Sequence, residues 1–235
     1  MSKYTPLWEY LKANKKENYK LTYEEIKSIL GFNIDHSFLT YKKEAKEYGY
    51  EVSKISIKEK TLVFNKIKNI IIRNINEKDI PSIADIQIKG WKSAYKGIID
   101  DSILNAMNKE EKIERLKSNY AKNGFVVAEI ENEVVGFCRY ADSNEFTPEM
   151  QDIDCEITAL YVKPDLKYKG IGTKLFQFVI DEFKNKSKVR MILWCLKENE
   201  PSKRFYRKKG GEIVGERVIE IGKKSYYEVG FIYHI

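Results

Sequence analysis

The residues best suited to do chemistry lie in the run Ala159-Leu-Tyr-Val-Lys-Pro-Asp-Leu-Lys-Tyr-Lys-Gly-Ile-Gly-Thr-Lys-Leu175. An apolar stretch ends at Val162, a basic loop follows, and Gly170 and Gly172 open an amphipathic pattern carried by Leu175, Phe176, Val179, Ile180 and Phe183. Glycine lets a backbone approach an anion closely, and a helix start directs free N–H groups and its positive dipole end at that anion. The pattern predicts a phosphate cradle; an ordinary helix-entry loop is the bland alternative. Two phosphate fingerprints fail. The Walker spacing GxxxxGK[ST] is absent. The dinucleotide spacing GxGxxG breaks at Leu175, and residues 163–169 separate its first glycine from the strand.

Other reactive side chains are sparse. Cys138, Cys155 and Cys195 are widely spaced inside apolar runs, where a thiol is usually a small core residue, and His36 and His234 are the only histidines. This argues against a metal site, a disulfide framework and a Cys–His pair.

The glycine segment resembles the acetyl-CoA loop of the GNAT superfamily of N-acetyltransferases, [QR]-x-x-G-x-[GA] after an L-Y-V-x-P strand end. Leu160-Tyr-Val162, Pro164, Gly170 and Gly172 match, and Lys167 replaces the usual Arg or Gln. A second family signature, N-x-x-A-x-x-F-Y-x-x-x-G, is similar to Asn199-Glu-Pro-Ser-Lys-Arg-Phe-Tyr-Arg-Lys-Lys-Gly210, with Ser202 for Ala. Trp91-Lys-Ser-Ala-Tyr95-Lys-Gly97-Ile resembles a third stretch found in a subset of the family. The resemblance covers residues 70–235.

It implies acetyl-CoA as cosubstrate, with no metal. The pyrophosphate is expected on backbone N–H groups of Lys167, Tyr168, Lys169, Gly170, Ile171, Gly172 and Thr173. The pantetheine arm is expected as an added strand along Leu160, Tyr161 and Val162, whose N–H groups also polarise the thioester. Asn199 is implied in holding the pantetheine. Tyr206 is implied as a cofactor contact and as the general acid toward sulfur, a role open to a phenol whose ordinary pKa is about 10. Glu156 is the candidate base, since an ammonium with a pKa of about 10.4 must lose a proton before it attacks. It stands four residues before Leu160, and the strand period of 2 predicts that it shares Leu160's face while Cys155 points the other way. A solvated or ion-paired strand acid is the competing reading of Glu156. Trp91 and Tyr95 are expected in the acceptor pocket, with core packing as the alternative.

These groups must be brought together by strands that end near one another and helices that begin there. Strands are predicted at residues 70–75, 125–129, 134–140, 154–162, 190–196, 213–218 and 225–233. Helices are predicted at 76–88, within 101–120, and at 172–184 and 201–209. The expected fold is α+β, with a GNAT-like mixed, mostly antiparallel central sheet flanked by helices. Ahead of it, residues 1–65 are read as a small accessory domain, helical and then ending in a β-hairpin. Pro6-Leu-Trp-Glu-Tyr-Leu11 and a capping box at Thr22-Tyr-Glu-Glu25 each predict a helix, a third covers 37–48, and 51–57 pairs with 61–64. That layout is winged-helix-like and resembles a small bacterial domain with the same P-L-x-E-Y-L and L-T-x-E-E-I-x-x-I-L-G segments.

Composition sets the outer bounds. In 235 residues, 42 Lys+Arg face 35 Asp+Glu, giving +7, and the hydrophobic share is 43%. This is enough to build a core and argues against disorder. No apolar run approaches the ~20 residues of a membrane span, so a cytoplasmic location without a membrane partner is expected. The charge is uneven. Residues 141–162 hold six acids and no Lys or Arg, whereas 163–209 hold 14 basic and 5 acidic residues, a net +9. The basic stretch is assigned to the CoA phosphates, with Lys167, Lys169, Lys174, Lys203 and Arg204 as contacts. The acidic stretch favours a cationic primary amine, small molecule or peptide, attacking directly in a ternary complex. Residues 1–65 carry 12 basic and 9 acidic side chains interspersed, a weak footprint for nucleic acid. Packing or homodimer formation is an equal alternative for that part. The rival overall reading is a non-catalytic acyl-CoA-sensing regulator whose first domain binds DNA or a protein partner.

Overall fold

The computed structural model describes residues 2–120, 124–145, 147–167 and 169–235, and the chain divides into two units, Met1–Asn69 and Ile70–Ile235. In the first, α1 (Thr5–Asn14), β1 (Asn18–Thr22), α2 (Tyr23–Leu30), α3 (Phe38–Tyr41), β2 (Tyr50–Ser56) and β3 (Thr61–Lys66) follow in order. Thr22 starts α2 through a reciprocal cap: its N–H donates to Glu25 at 2.7 Å and its hydroxyl accepts from the Glu25 N–H at 3.2 Å. The strands form a three-stranded antiparallel sheet in the order β1-β3-β2. Trp8 fills the core under it, with ring centroids 5.9 Å from Phe38 and 6.2 Å from Phe64.

Two details differ from the sequence reading. β1 was not expected, because Asn-Tyr-Lys-Leu-Thr carries only a weak strand pattern and is made a strand by pairing with β3. The predicted helix over 37–48 is α-helical for Phe38–Tyr41 and continues as a 3-10 helix over Lys42–Tyr48. Within that tighter stretch, Glu44 accepts from the Trp8 indole N–H at 3.2 Å.

The second unit runs β4 (Ile71–Asn74), α4 (Ile80–Ala94), α5 (Asp101–Asn105), α6 (Lys109–Lys117), β5 (Gly124–Ile130), β6 (Glu133–Ala141), β7 (Cys155–Val162), α7 (Ile171–Asn185), β8 (Arg190–Leu196), α8 (Glu200–Lys208), β9 (Glu212–Ile221) and β10 (Lys224–His234). Its seven strands lie in the order β4-β5-β6-β7-β8-β10-β9, antiparallel except for β7 beside β8. This is the expected α+β architecture, a mixed, mostly antiparallel sheet flanked by helices. One face of the sheet buries Leu175, Val179 and Phe183 of α7 against Val126, Cys138, Leu193 and Phe231. The other buries Ile83 and Ile86 of α4 against Phe125, Val127 and Phe137.

The start of α4 is fixed to the sheet by charge. Arg73 of β4 donates to both carboxylate oxygens of Asp79, at 2.7 and 3.0 Å, and to Glu129 of β5 at 2.7 Å. Asp79 is 4% exposed. Its burial alone would raise the carboxyl pKa, yet the Arg73 guanidinium and the Asn76 N–H hold it below the usual range.

Among the described residues no helix is long and apolar enough to cross a membrane.

Candidate active site

The site is created where two parallel strands part. β7 and β8 share three pairs, Cys155 with Met191, Glu156 with Ile192 and Ile157 with Leu193. Beyond them β7 stays with β6 as far as Val162, and β8 stays with β10 as far as Leu196. Among the described residues no strand therefore lies beside the β8-facing edge of β7 from Thr158 onward. A cleft of about 1100 Å³ opens there, reached by Leu160, Tyr161 and Val162 from β7, the start of α7, and Trp194, Cys195, Asn199 and Tyr206 from the β8–α8 side.

The α7 side of this cleft is mostly backbone. Gly170 is the N-cap of α7 at φ +82°, a conformation glycine adopts without strain, and no side chain caps the helix. The N–H groups of its first turn, from Ile171 to Thr173, have no intrahelical acceptor and face out of the helix end. At Gly172 an added Cβ would meet Leu160 at 3.6 Å and Phe205 at 3.8 Å, ordinary contacts. The protein's own packing does not demand glycine there; its absent side chain keeps the helix start open to the cleft. Ile171 is buried in the core and contributes main chain only. Lys167, Gly170, Gly172 and Thr173 line the cleft, and Tyr168 lies outside the described residues. Asn199, 4% exposed, is the N-cap of α8, its Oδ1 accepting from the Ser202 N–H at 3.3 Å. Its oxygen thus serves the helix, and its two amide N–H donors are suited to a ligand carbonyl.

Tyr206 stands on α8 among rings, with centroids 5.5 Å from Phe205 and 5.6 Å from Phe231. Burial pushes its phenol well above the ordinary value, so it is a protonated donor throughout the neutral range. The cysteines are also neutral. Burial raises the Cys138 and Cys155 thiols far above their usual range and pushes Cys195 up to about 12, which leaves none of them as a thiolate nucleophile at neutral pH.

The α4 side of the cleft is built from side chains. The hydroxyls of Tyr95 and Tyr161 lie 3.3 Å apart, and burial raises both phenols. Gly90 lets the Tyr161 ring fit beneath α4, where an added Cβ would stand 2.8 Å from it. Tyr95 lines the cleft. Trp91 packs edge-on behind it, centroids 5.2 Å apart, in a small core with Ile99, Leu104 and Leu196.

Glu156 requires a correction. It does not share a face with Leu160. Ala159 pairs with Arg139 and Ile157 with Tyr140, which leaves Thr158 as an extra residue, a β-bulge. The bulge inverts the phase, so Cys155, Ile157, Leu160 and Val162 pack on the α7 face while Ala159 and Tyr161 pack on the α4 face. Glu156, paired with Ala141 and Ile192 and 2% exposed, belongs to the α4 face.

The charge assignments also change in detail. Lys167 and Arg204 line the cleft, joined by Lys208 and Lys209, which sequence reasoning missed although Arg204 and Lys208 are one helical turn apart. Lys203 is instead tied to the Lys197 carbonyl at 2.7 Å and to Glu200 at 2.5 Å, and Lys174 reaches the Ile70 carbonyl at 3.5 Å. Of the six acids in 141–162, three are used within the fold. Asp142 pairs with Lys186 and Asp152 with Arg190, and Asp154 accepts from the N–H groups of Val189 and Arg190. A further acid was not foreseen. Glu228 of β10 is held by Arg217 at 2.9 Å, acts electrostatically on Tyr95, Tyr161 and Cys195, and has the Arg217 guanidinium stacked 4.3 Å over Trp194 as its neighbour. Among the described residues no three His, Cys, Asp or Glu side chains are grouped to hold a metal ion.

Comparison with known proteins places this geometry. The family model described as "Acetyltransferase (GNAT) family" matches residues 91–211. An uncharacterised N-acetyltransferase of Bacillus subtilis, YuaI, is 27% identical over 161 residues, covering 68% of this chain and 91% of that protein. Among solved structures, the PaiA N-acetyltransferase of Thermoplasma acidophilum, in complex with coenzyme A, superposes with a TM-score of 0.54 at 20% identity, covering 70% of this chain and 99% of that one. YncA of Salmonella typhimurium, solved with its cofactor acetyl-CoA, gives 0.53 at 18% identity, covering 71% and 94%.

Proposed function

The chain belongs to the acetyltransferase (GNAT) family, and on that premise we propose that it transfers the acetyl group of acetyl-CoA to a primary amine by direct attack in a ternary complex. The observation that carries this reading is the parting of β7 from β8 with the uncapped start of α7 at its mouth. An extended pantetheine can pair with the free β7 edge along Leu160, Tyr161 and Val162, as an added strand does. The helix start and Lys167, Arg204, Lys208 and Lys209 suit its phosphates. Family membership favours turnover over a non-catalytic acyl-CoA sensor.

In the transfer a C–N bond forms and the C–S bond breaks. The ammonium loses one proton to Glu156, directly or through water, before it attacks; the departing sulfur gains a proton from Tyr206, and the second nitrogen proton, released as the amide forms, restores that phenol. Main-chain N–H groups of β7 polarise the thioester carbonyl. Tyr206 donates its hydroxyl proton toward the sulfur. Because burial keeps that phenol protonated throughout the neutral range, it is available to give its proton as negative charge develops on sulfur. Trp91 and Tyr95 shape the acceptor end, Tyr95 as wall and Trp91 as its support. The −6 carried by residues 141–162 in the sequence no longer argues for a cationic acceptor, since three of its acids are used internally.

The test is release of free CoA thiol from acetyl-CoA with a panel of primary amines. Turnover by the wild type and its loss in Tyr206→Phe, with CoA affinity retained, are expected. Tight CoA binding without turnover on any amine would overturn the enzymatic reading.

A further inference from the structure

Three rings gather on the α4 face at the gap where β7 and β8 part. Trp194 stands two residues beyond Ile192, the partner of Glu156, so it shares the α4 face with them. It packs there with Ile192 and Ile232. Tyr161, beyond the bulge, lies on the same face from the β7 side of the gap. Tyr95, the C-cap residue of α4, completes the group, and all three residues line the cleft.

Each ring is fixed by its surroundings. Gly230 of β10 is directly opposite Trp194, and an added Cβ there would stand 2.9 Å from the indole, so glycine is what lets the ring lie across that strand. The Trp194 N–H donates to the hydroxyl of Thr147, a fully buried residue, at 2.9 Å, which leaves ring surface as what Trp194 presents to the cleft. The Arg217 guanidinium, held by Glu228 at 2.9 Å, lies 4.3 Å from the centre of the same ring. Tyr161 is seated 5.5 Å from the Phe137 ring and has its hydroxyl 3.3 Å from that of Tyr95. Walls fixed before a ligand arrives lose little freedom when it binds.

Charge is distributed unevenly around this cleft. The charged side chains that line it are Lys167, Arg204, Lys208 and Lys209, all cations and all from the α7–α8 side. Among the described residues no carboxylate lines it: Glu156 is 2% exposed, and Glu228 is held by Arg217. An acceptor with a second ammonium would find no counter-charge there and four cations opposing it. The neighbours of the three rings on the lining are the small or apolar Gly90, Ala94, Ile157 and Leu193. Such a surface is suited to an uncharged body.

We propose that Trp194, Tyr161 and Tyr95 determine acceptor specificity and select a primary amine carried on an uncharged, ring-bearing body, that is, an arylalkylamine. The claim rests on the acetyl-transfer reading and names its substrate class. The ring of the acceptor packs among the three side chains, where aromatic pairs add to the gain from burial, and its amino group lies toward the thioester.

The test uses the full chain, acetyl-CoA and a panel of primary amines. Phenethylamine and tryptamine are expected to exceed cadaverine and spermidine by about tenfold or more in kcat/KM, with hexylamine, which has an uncharged body but no ring, between them. Trp194→Leu and Tyr161→Leu keep apolar bulk and remove a ring. Each should raise the KM for phenethylamine about tenfold with an unchanged KM for acetyl-CoA, and Trp194→Phe should recover part of the loss. Diamines or hexylamine that match or exceed the ring-bearing amines would overturn the proposal, as would ring-removing variants that leave the acceptor KM unmoved. If Trp194→Leu fails to fold, Tyr95→Leu at the end of α4 carries the test. Calorimetry of phenethylamine with CoA-loaded protein separates the two levels of the claim. Binding that is lost in the ring-removing variants, without turnover in the wild type, keeps the aromatic site and removes the acetylation; turnover with equal kcat/KM across the panel does the reverse.

Discussion

The two walls of the cleft solve the problem of binding in different ways. The α7–α8 wall uses main chain: an uncapped helix start, glycines at 170 and 172, and the open edge of β7. Its charged side chains are the cations Lys167, Arg204, Lys208 and Lys209, which line the cleft. The α4 wall uses side chains brought from separate parts of the chain, Tyr95 and Tyr161, whose hydroxyls lie 3.3 Å apart. Main chain recognises a ligand that never changes. Side chains can be exchanged one at a time, which suits the partner that differs between enzymes of one fold.

Substitutions can break this contrast, beginning with the largest effect. Gly172→Asp places a carboxylate at the open helix start, and like-charge opposition of several kcal/mol should weaken CoA binding by about 1000-fold. Gly172→Ala, by comparison, has room for its Cβ. Equal CoA affinity in wild type and Gly172→Asp, measured calorimetrically, would remove the helix start from the phosphate site. Tyr206→Phe should lower kcat about 100-fold with little change in the KM for acetyl-CoA, because the residue serves the leaving group rather than the grip. Glu156→Gln should cost about tenfold in kcat at neutral pH and displace the acidic limb of the pH–rate profile; an unaltered profile assigns deprotonation elsewhere. The smallest effect is expected at Cys195. Its folded pKa, pushed up to about 12, keeps the thiol protonated at all lower pH. Alkylation by iodoacetamide between about pH 7 and 9 should then be slower than for a free thiol, whose pKa is about 8.5, and Cys195→Ala should turn over within about twofold of wild type. Rapid alkylation that abolishes activity would put the thiol back in the mechanism.

The same contrast explains what could be read from the chain alone. The first wall is local in sequence: strand end, basic loop, glycines and amphipathic helix follow one another from Ala159 to Phe183, so its motif is visible without the fold. β8 and α7 were found nearly residue for residue because apolar periodicity and helix starts are short-range signals. The second wall was not legible. Tyr95 and Tyr161 meet only because α4 packs over β7, and Glu228 acts on Tyr161 only because β10 lies beside β8. Glu156 was assigned to the wrong face for a different reason. A bulge is specified by the pairing of two strands, and nothing in Cys-Glu-Ile-Thr-Ala-Leu marks which residue is the surplus one. β1 was missed likewise, since its partners stand 39 to 47 residues downstream.

Thr158 is that surplus residue, and its position matters for how the protein can change over time. A strand with one residue more than its neighbour has two halves that face opposite ways. Removing or adding a single residue on either side of Thr158 would exchange the faces of one half and carry Tyr161 and Leu160 to the wrong sides of the sheet. A change of one residue in the length of β7 therefore exchanges a ring for an aliphatic side chain on each face of the sheet, so the length of this strand is as much a part of the site as any side chain in it.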